Sequence, residues 1–274
     1  MDIITAQKTT SFYDRFKDID VTFTKEIIQV TGLITQEVYL KCGGDSWPCI
    51  IYSTSFQGAK VIANIKTNMT AKLEEVNNLI SLRFCFKSPD GNNPVAFSVA
   101  ARSLGCAPYG KSNDVAIFTI QFTQRPPDNL IGIMGRILDA NFNFAKRKES
   151  RIAVSWDSQR KMRILPKECA VFIEGVPRHC ILRDVSFSGA KLIMIGVAKF
   201  LVNKDIALRV DFDEPRESFL IRGRFIRSEM VEGRKDLVAL GIQFIENLVP
   251  IGYKVRINEY LESVHLEVSD PNVK

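Results

Sequence analysis

The chain has only two histidines, and its six cysteines (Cys42, Cys49, Cys85, Cys106, Cys169 and Cys180) never form a C-x-x-C pair. A structural zinc site draws on His and Cys at short, fixed spacings, so its vocabulary is missing and no metal is expected. Several cysteines sit among apolar neighbours, as in Phe84-Cys85-Phe86 and Cys180-Ile181-Leu182, and read as buried free thiols. Long apolar runs are lacking too. A membrane helix needs roughly 18 to 20 apolar residues, and the longest candidate, Leu192 to Ala198, is far shorter. Met1-Asp2-Ile3 offers neither the basic start nor the apolar core of a signal peptide. A cytoplasmic protein with no membrane insertion is expected. G-x-S-x-G, the P-loop and H-E-x-x-H are absent as well. Adjacent carboxylates such as Glu74-Glu75 fit a solvated helix. An enzyme is therefore the class with least support.

What is present is an ordinary globular composition, 46% hydrophobic and 25% charged, with 18 Phe that lean it towards β structure. The net charge is +6, and it is unevenly placed. Residues 1–140 hold 14 basic and 13 acidic side chains, whereas 141–183 alone hold 10 and 4. A local basic patch of this kind suits an anionic partner such as a phosphate.

The most informative feature is an internal repeat. Cys49-Ile-Ile-Tyr-Ser-Thr-Ser-Phe-Gln-Gly-Ala-Lys-Val-Ile62 matches Cys180-Ile-Leu-Arg-Asp-Val-Ser-Phe-Ser-Gly-Ala-Lys-Leu-Ile193 at 8 of 14 positions, at an offset of 131. Ile80 to Phe86 matches Ile206 to Phe212 at an offset of 126, and Ile120-Gln-Phe122 matches Ile242-Gln-Phe244 at 122. Three anchors in the same order indicate two copies of one plan, with loops of different length.

Period-two alternation predicts strands with one buried face at Ile152/Val154/Trp156, Ile206 to Phe212 and Val238 to Phe244. Trp156 is read on this basis as a core residue rather than a stacking platform, and His179 as a surface strand end. Several such strands divided by turns suggest a small antiparallel barrel. Each half closes with a helical pattern: Leu130 to Leu138 after Pro126-Pro127, with Asp128 as N-cap, and Ile251 to Val264 after Asn247 and Pro250. Lys72 to Asn78 also looks helical. The polar, basic stretch Asn141 to Ser150 reads as a linker.

Two motifs carry chemistry. Arg147-Lys148-Glu149-Ser150-Arg151 is an R-x-x-x-R, and Asp184-Val185-Ser186-Phe187-Ser188-Gly189 is a D-x-S-x-x-G between two predicted strands. Each alone is commonplace: a solvated basic run and a polar turn. Together, in this order and with strands between them, they resemble the signature of PilZ domains over roughly residues 142–262. The resemblance implies two PilZ-like antiparallel β-barrels in tandem, each followed by a helix. The expected layout is 1–140 as an N-terminal PilZ-like barrel without a nucleotide site, 141–151 as a linker carrying the R-x-x-x-R, and 152–274 as the PilZ domain with its closing helix. The first half is similar, more weakly, to PilZN-type or flagellar-brake-type domains, and the whole to two-domain spirochaete PilZ proteins.

The resemblance also implies a ligand, the bacterial second messenger cyclic di-GMP, with no other cofactor. Arginine's planar fork bonds guanine O6 and N7 or phosphate oxygens, and stacks on purines. A carboxylate is acceptor-only and suits the N1–H and N2–H donors on guanine's other edge. The binding residues implied are Arg147, Arg151, Asp184, Ser186 and Gly189, with Lys146, Lys148, Arg183 and Ser188 as weaker candidates. The Ser186 hydroxyl either donates to phosphate or caps the turn, and Gly189 serves either close backbone approach or positive φ.

At the shared offset Asp184 corresponds to Ser53, Ser186 to Ser55, Gly189 to Gly58, and Arg147 and Arg151 to Phe16 and Asp20. The first half thus keeps the turn and loses the groups that would read guanine. The expected mechanism is a clamp. A nucleotide bridging the linker arginines and the D-x-S-x-x-G turn fixes the angle between two barrels of a monomer and signals to a protein effector in motility or envelope regulation. The rival readings are a nucleic-acid-binding module using the basic patch, for which no RNA-binding aromatic motif or helix-turn-helix is found, and a PilZ-like interaction protein that no longer binds nucleotide.

Overall fold

The computed structural model describes residues 6–65, 69–88, 93–111, 114–146, 150–165 and 169–269. The chain forms two compact units, Met1–Leu138 and Asp139–Lys274.

In the first unit, α1 (Ala6–Phe16), β1 (Val21–Thr22) and α2 (Lys25–Thr31) lead into β2 (Tyr39–Cys42), β3 (Asp45–Thr54) and β4 (Gly58–Asn64). Then come α3 (Met69–Glu75), β5 (Leu79–Phe86), β6 (Val95–Pro108), β7 (Val115–Phe122) and α4 (Asp128–Lys146). The strands pair antiparallel in the order β1-β3-β2-β5-β6-β7-β4, and β3 also pairs with β4. That last pairing closes six strands into a barrel and leaves β1 as an outer strand on β3. Closure removes the unpaired edge that an open sheet would present. The alternation explains the interior: Cys49 and Ile51 of β3, Leu82 and Phe84 of β5, and Phe118 and Ile120 of β7 all point inward.

The second unit repeats this plan with β8 (Ile152–Ala153), α5 (Trp156–Met162), β9 (Ala170–Ile173), β10 (Val176–His179), β11 (Ile181–Val185) and β12 (Gly189–Ile195). It continues through α6 (Ala198–Leu201), β13 (Asp205–Phe212), β14 (Glu217–Val231), β15 (Arg234–Phe244) and α7 (Ile251–Ser269). The pairing order is β10-β9-β13-β14-β15-β12-β11-β8. β10 and β11 are consecutive in the chain, interrupted only at Cys180, and together correspond to β3. The expected inward faces are seen: Ile206, Leu208, Val210 and Phe212 are buried, as are Val238, Leu240, Ile242 and Phe244.

The correspondence reaches the helices that flank each barrel. Thr24 caps α2 and Ser155 caps α5; the two helices end at Gly32 and Arg163, both in the left-handed region, at the same offset of 131. In the first unit Gly135 of α4 meets the ring of Phe12 from α1. In the second, Asn258 of α7 accepts from Asn143 Nδ2, in the last turns of α4, at 2.8 Å. The end of α4 therefore does for the second barrel what α1 does for the first.

Three sequence expectations change. The polar stretch after Ala140 is helical as far as Lys146, because Phe144 is buried and meets the Phe187 ring at 5.9 Å. The strand expected over 152–156 stops at Ala153, where Ser155 forms a capping box with Ser158 and starts α5. Asp128 is the first helical residue rather than the cap: the Pro127 carbonyl accepts the first helical bond, and Asp128 pairs with Arg125 at 3.1 Å. His179 ends β10 and is exposed, as expected. Among the described residues no helix is long and apolar enough to cross a membrane.

Candidate functional site

The D-x-S-x-x-G segment spans the end of β11, a tight turn and the start of β12. Its first residue sits beside a bulge. β11 pairs with β12 through Leu182–Leu192 and Asp184–Lys191, leaving Arg183 as the extra residue. A bulge re-aims the side chains next to it. Asp184 also pairs with Ala153 of β8, and the Arg183 carbonyl accepts from Val154 N at 2.8 Å. The short β8 thus lies along the bulge and carries Arg151, the residue before it, to the carboxylate. Arg151 Nη1 donates to Asp184 Oδ1 at 2.9 Å. The pair is partly open to water, with the arginine side chain 44% and the aspartate 20% exposed. The two motifs, 33 residues apart in the chain, therefore meet through one charge-assisted bond.

The remaining turn residues face inward. Ser186 is buried; its hydroxyl donates to the Gly189 carbonyl and accepts from Gly189 N, both at 3.1 Å, and Ser186 N bonds the same carbonyl at 2.8 Å. Of the two roles open to Ser186, the structure shows the cap. Phe187 plugs the barrel end and is buried. Gly189 serves close approach: a Cβ there would stand 2.3 Å from the Ile242 carbonyl oxygen. The Ser188 carbonyl accepts from Phe244 N at 2.8 Å, and Tyr253 of α7 donates its hydroxyl to the Ser186 carbonyl at 2.8 Å.

Arg183 is exposed at the bulge. Lys146 ends α4 with its ammonium over the Phe142 ring at 4.2 Å. Arg147 and Lys148 lie outside the described residues. Trp156 is corrected from core to surface. It is 86% exposed, because α5 begins there and turns its first residue outward. Sequence alternation through Trp156 hid this, whereas the Ser155/Ser158 spacing of the capping box was the available signal. Among the described residues no group of three or more His, Cys, Asp or Glu is placed to hold a metal ion.

The first unit has the same frame with different contents. Ser53 pairs with Thr22 of β1 as Asp184 pairs with Ala153, and the bulge falls at Tyr52. At the positions of Asp184 and Arg151 stand Ser53 and Asp20, joined by a hydrogen bond of 3.4 Å. This contact offers no arginine, and its carboxylate comes from Asp20 rather than from the bulged strand.

Two barrels of one plan, with an arginine–carboxylate pair at the bulge of the second and a serine–aspartate contact at the matching place of the first, define a PilZ-type architecture. The chain matches the PilZN3 domain over residues 7–141 and the PilZ domain over 145–263, and it belongs to the PilZ-domain proteins. It is 40% identical over 266 residues to a protein of Treponema denticola named cyclic di-GMP binding protein, covering 97% of this chain and 85% of that one. Among solved structures it is similar to Borreliella burgdorferi PlzA in complex with c-di-GMP (TM-score 0.42, 23% identity, covering 93% of this chain and 98% of that one). It is also similar to Escherichia coli YcgR in complex with c-di-GMP (TM-score 0.32, 12% identity, 89% of each).

Proposed function

We propose that the chain is a cyclic di-GMP receptor whose nucleotide site is on the second barrel, and that it works as a cytoplasmic monomer without catalysis. The observation that carries this reading is the Arg151–Asp184 bond of 2.9 Å, which gathers the two motifs at one half-open point of the barrel wall. There Asp184 accepts from guanine N1–H and N2–H, while Arg147 and Arg151 supply forks for the phosphates or for guanine O6 and N7. Ser186 and Gly189 act by holding the turn that aims Asp184. Arg183 and Lys146, with Lys148 and Ser188, supply neighbouring polar groups. The kinship with the Treponema denticola protein supports the same ligand.

The output of the receptor is a change of conformation. A ligand shifts such an equilibrium only through differential affinity, and the arginines ahead of β8 provide it by engaging the nucleotide in one arrangement of the chain. Binding then fixes the angle between the barrels and presents an altered surface to a protein effector.

Calorimetric titration of the full chain with cyclic di-GMP tests the reading. Binding that is lost in Arg147→Ala, Arg151→Ala and Asp184→Ala establishes it. Absence of binding by the unaltered chain overturns it in favour of an interaction module that keeps the motifs only as parts of the fold. Scattering profiles that superimpose with and without ligand would sink the clamp alone.

A further inference from the structure

A cleft opens on the first barrel, beside the turn that takes the place of D-x-S-x-x-G. Its volume is about 320 Å³, and three segments of that unit wall it: Tyr13 and Lys17 from the end of α1, Phe56 and Gln57 from the turn, and Gln121 to Arg125 from β7 and the segment after it. That size lies at the small end of ligand sites, which run from roughly 300 to 1,000 Å³. The floor is fixed. Phe56 is buried, and the Tyr13 ring stacks on it at 6.0 Å with 17° between the planes. Arg125 sets its guanidinium over the Tyr13 ring at 5.3 Å. The rim is polar and open. Lys17, Gln121, Thr123 and Gln124 are exposed, and their side chains have no hydrogen bond or ion pair among the described residues. Two carboxylates bond lining residues: Asp18 accepts from Gln57 Nε2, and Asp128 pairs with Arg125 Nη2 at 3.1 Å.

The second barrel is an internal control. The backbone frame is the same: Gly58 pairs with Gln121 as Gly189 pairs with Gln243. Phe122 N donates to the Gln57 carbonyl as Phe244 N does to that of Ser188, and Thr123 N to the Ala100 carbonyl as Ile245 N to that of Arg222. The contents differ. Ile245, Glu246 and Asn247 take the places of Thr123, Gln124 and Arg125. Phe144 takes the place of Tyr13, and the Lys254 ammonium of α7 covers its ring at 4.0 Å. The residue of α4 at that helical position is Ile131, which is buried, so the space over Tyr13 is left to Arg125. An anion at this place would meet a carboxylate on the second barrel. On the first it meets two cations, two amides and a hydroxyl.

We propose that this cleft is a ligand site of the first barrel for a small phosphate monoester with a hydroxylated body, of the size of a sugar phosphate or a mononucleotide. A phosphate monoester carries a charge of about −1.5 to −2 near neutral pH, which Lys17 and Arg125 match. The guanidinium has five N–H donors, so Arg125 can bond a phosphate oxygen while one nitrogen holds Asp128. Its seat over the Tyr13 ring limits the side-chain freedom lost on binding. The Gln121 and Gln124 amides and the Thr123 hydroxyl each donate and accept, which suits the hydroxyls of the body. The site uses no residue of the R-x-x-x-R or D-x-S-x-x-G motifs and goes beyond the receptor reading above.

The test is calorimetry of the full chain with glucose 6-phosphate, adenosine monophosphate and inorganic phosphate, with thermal unfolding run on each variant. One of the two monoesters is expected to bind more tightly than about 1 mM, and which one does so separates a sugar phosphate from a mononucleotide. Loss of one charge-assisted contact predicts affinity about ten- to hundredfold weaker in Lys17→Ala and in Arg125→Ala. Gln124→Glu, which sets a carboxylate where Glu246 stands in the second barrel, is expected to weaken binding at least as much. Arg151→Ala is expected to leave it unchanged. Lys17 and Gln124 are exposed, so their substitution leaves the fold intact and the affinity readable. The inference is overturned if neither monoester binds, if inorganic phosphate binds as tightly as the better monoester, or if the affinity survives all three cleft variants. None of these outcomes bears on the receptor reading, which stands or falls on the cyclic di-GMP titration.

Discussion

The Tyr253 hydroxyl, on α7, donates at 2.8 Å to the carbonyl of Ser186 in the D-x-S-x-x-G turn. The ring is fully buried, with Phe212 and Phe244 edge-on at 6.5 and 5.9 Å. Burial, and then the nearby Asp184 carboxylate, push the phenol's pKa up, so the group stays a donor across the accessible pH range. α4 carries Leu130 at the matching place in the first barrel, and a leucine cannot donate. The closing helix is thus bonded to the turn in the barrel that carries the Arg151–Asp184 pair. Tyr253→Phe leaves the Ser186 carbonyl without that partner and is expected to cost about 1–3 kcal/mol of stability by urea unfolding. Cyclic di-GMP affinity should fall with it, since Asp184 is aimed by that turn. Unchanged stability and affinity would show that the bond constrains nothing.

The Arg151–Asp184 pair has a different signature. Both side chains are partly solvated, and such pairs contribute at most about 1 kcal/mol to folding. Arg151→Ala and Asp184→Asn are therefore expected to unfold within about 1 kcal/mol of the unaltered chain while losing ligand affinity by tenfold or more. A large stability loss in Arg151→Ala would mark the pair as structural and remove the main support for the receptor reading.

How much of this was legible beforehand depends on which interactions leave a local trace. The barrel strands were, because Ile206 to Phe212 and Val238 to Phe244 alternate and a closed barrel buries one face of each. The meeting of the two motifs was legible only through the family resemblance: nothing local in Arg151 says that β8 will lie along the bulge at Arg183. Trp156 was misread because two residues of strand precede it in phase, and the helix start depended on a serine rather than the more usual glutamate three residues after the cap.

Gly58 and Gly189 give a prediction that separates fold from ligand. In each barrel a Cβ would stand 2.3 Å from a carbonyl oxygen of the neighbouring strand, that of Ile120 or Ile242. Neither glycine has positive φ, so the constraint is space against backbone rather than strain. Alanine at either position forces the strands apart and is expected to cost about 1–3 kcal/mol or more, localised by hydrogen exchange to the barrel that carries it. Ligand affinity should fall in Gly189→Ala and hold in Gly58→Ala. Equal loss of affinity in both variants would place nucleotide chemistry in the first barrel as well.

The cysteines provide a check on packing that needs no ligand. Cys42, Cys49, Cys85, Cys169 and Cys180 are buried, in line with the sequence reading, whereas Cys106 is exposed near the end of β6. Burial pushes the thiols of Cys49 and Cys180 up to about 12 and raises those of Cys42 and Cys85. The thiolate is the nucleophile, so at pH 8 these four groups are withheld both by access and by protonation. Titration of the native chain with an aromatic disulfide is expected to show one fast thiol, abolished in Cys106→Ser, and the other five only after denaturant is added. Raising the pH to about 9.5 should leave the buried set slow, because pH restores neither access nor, for Cys49 and Cys180, the thiolate. Two or more fast thiols in the Cys106→Ser chain would show that one of the barrels opens in solution.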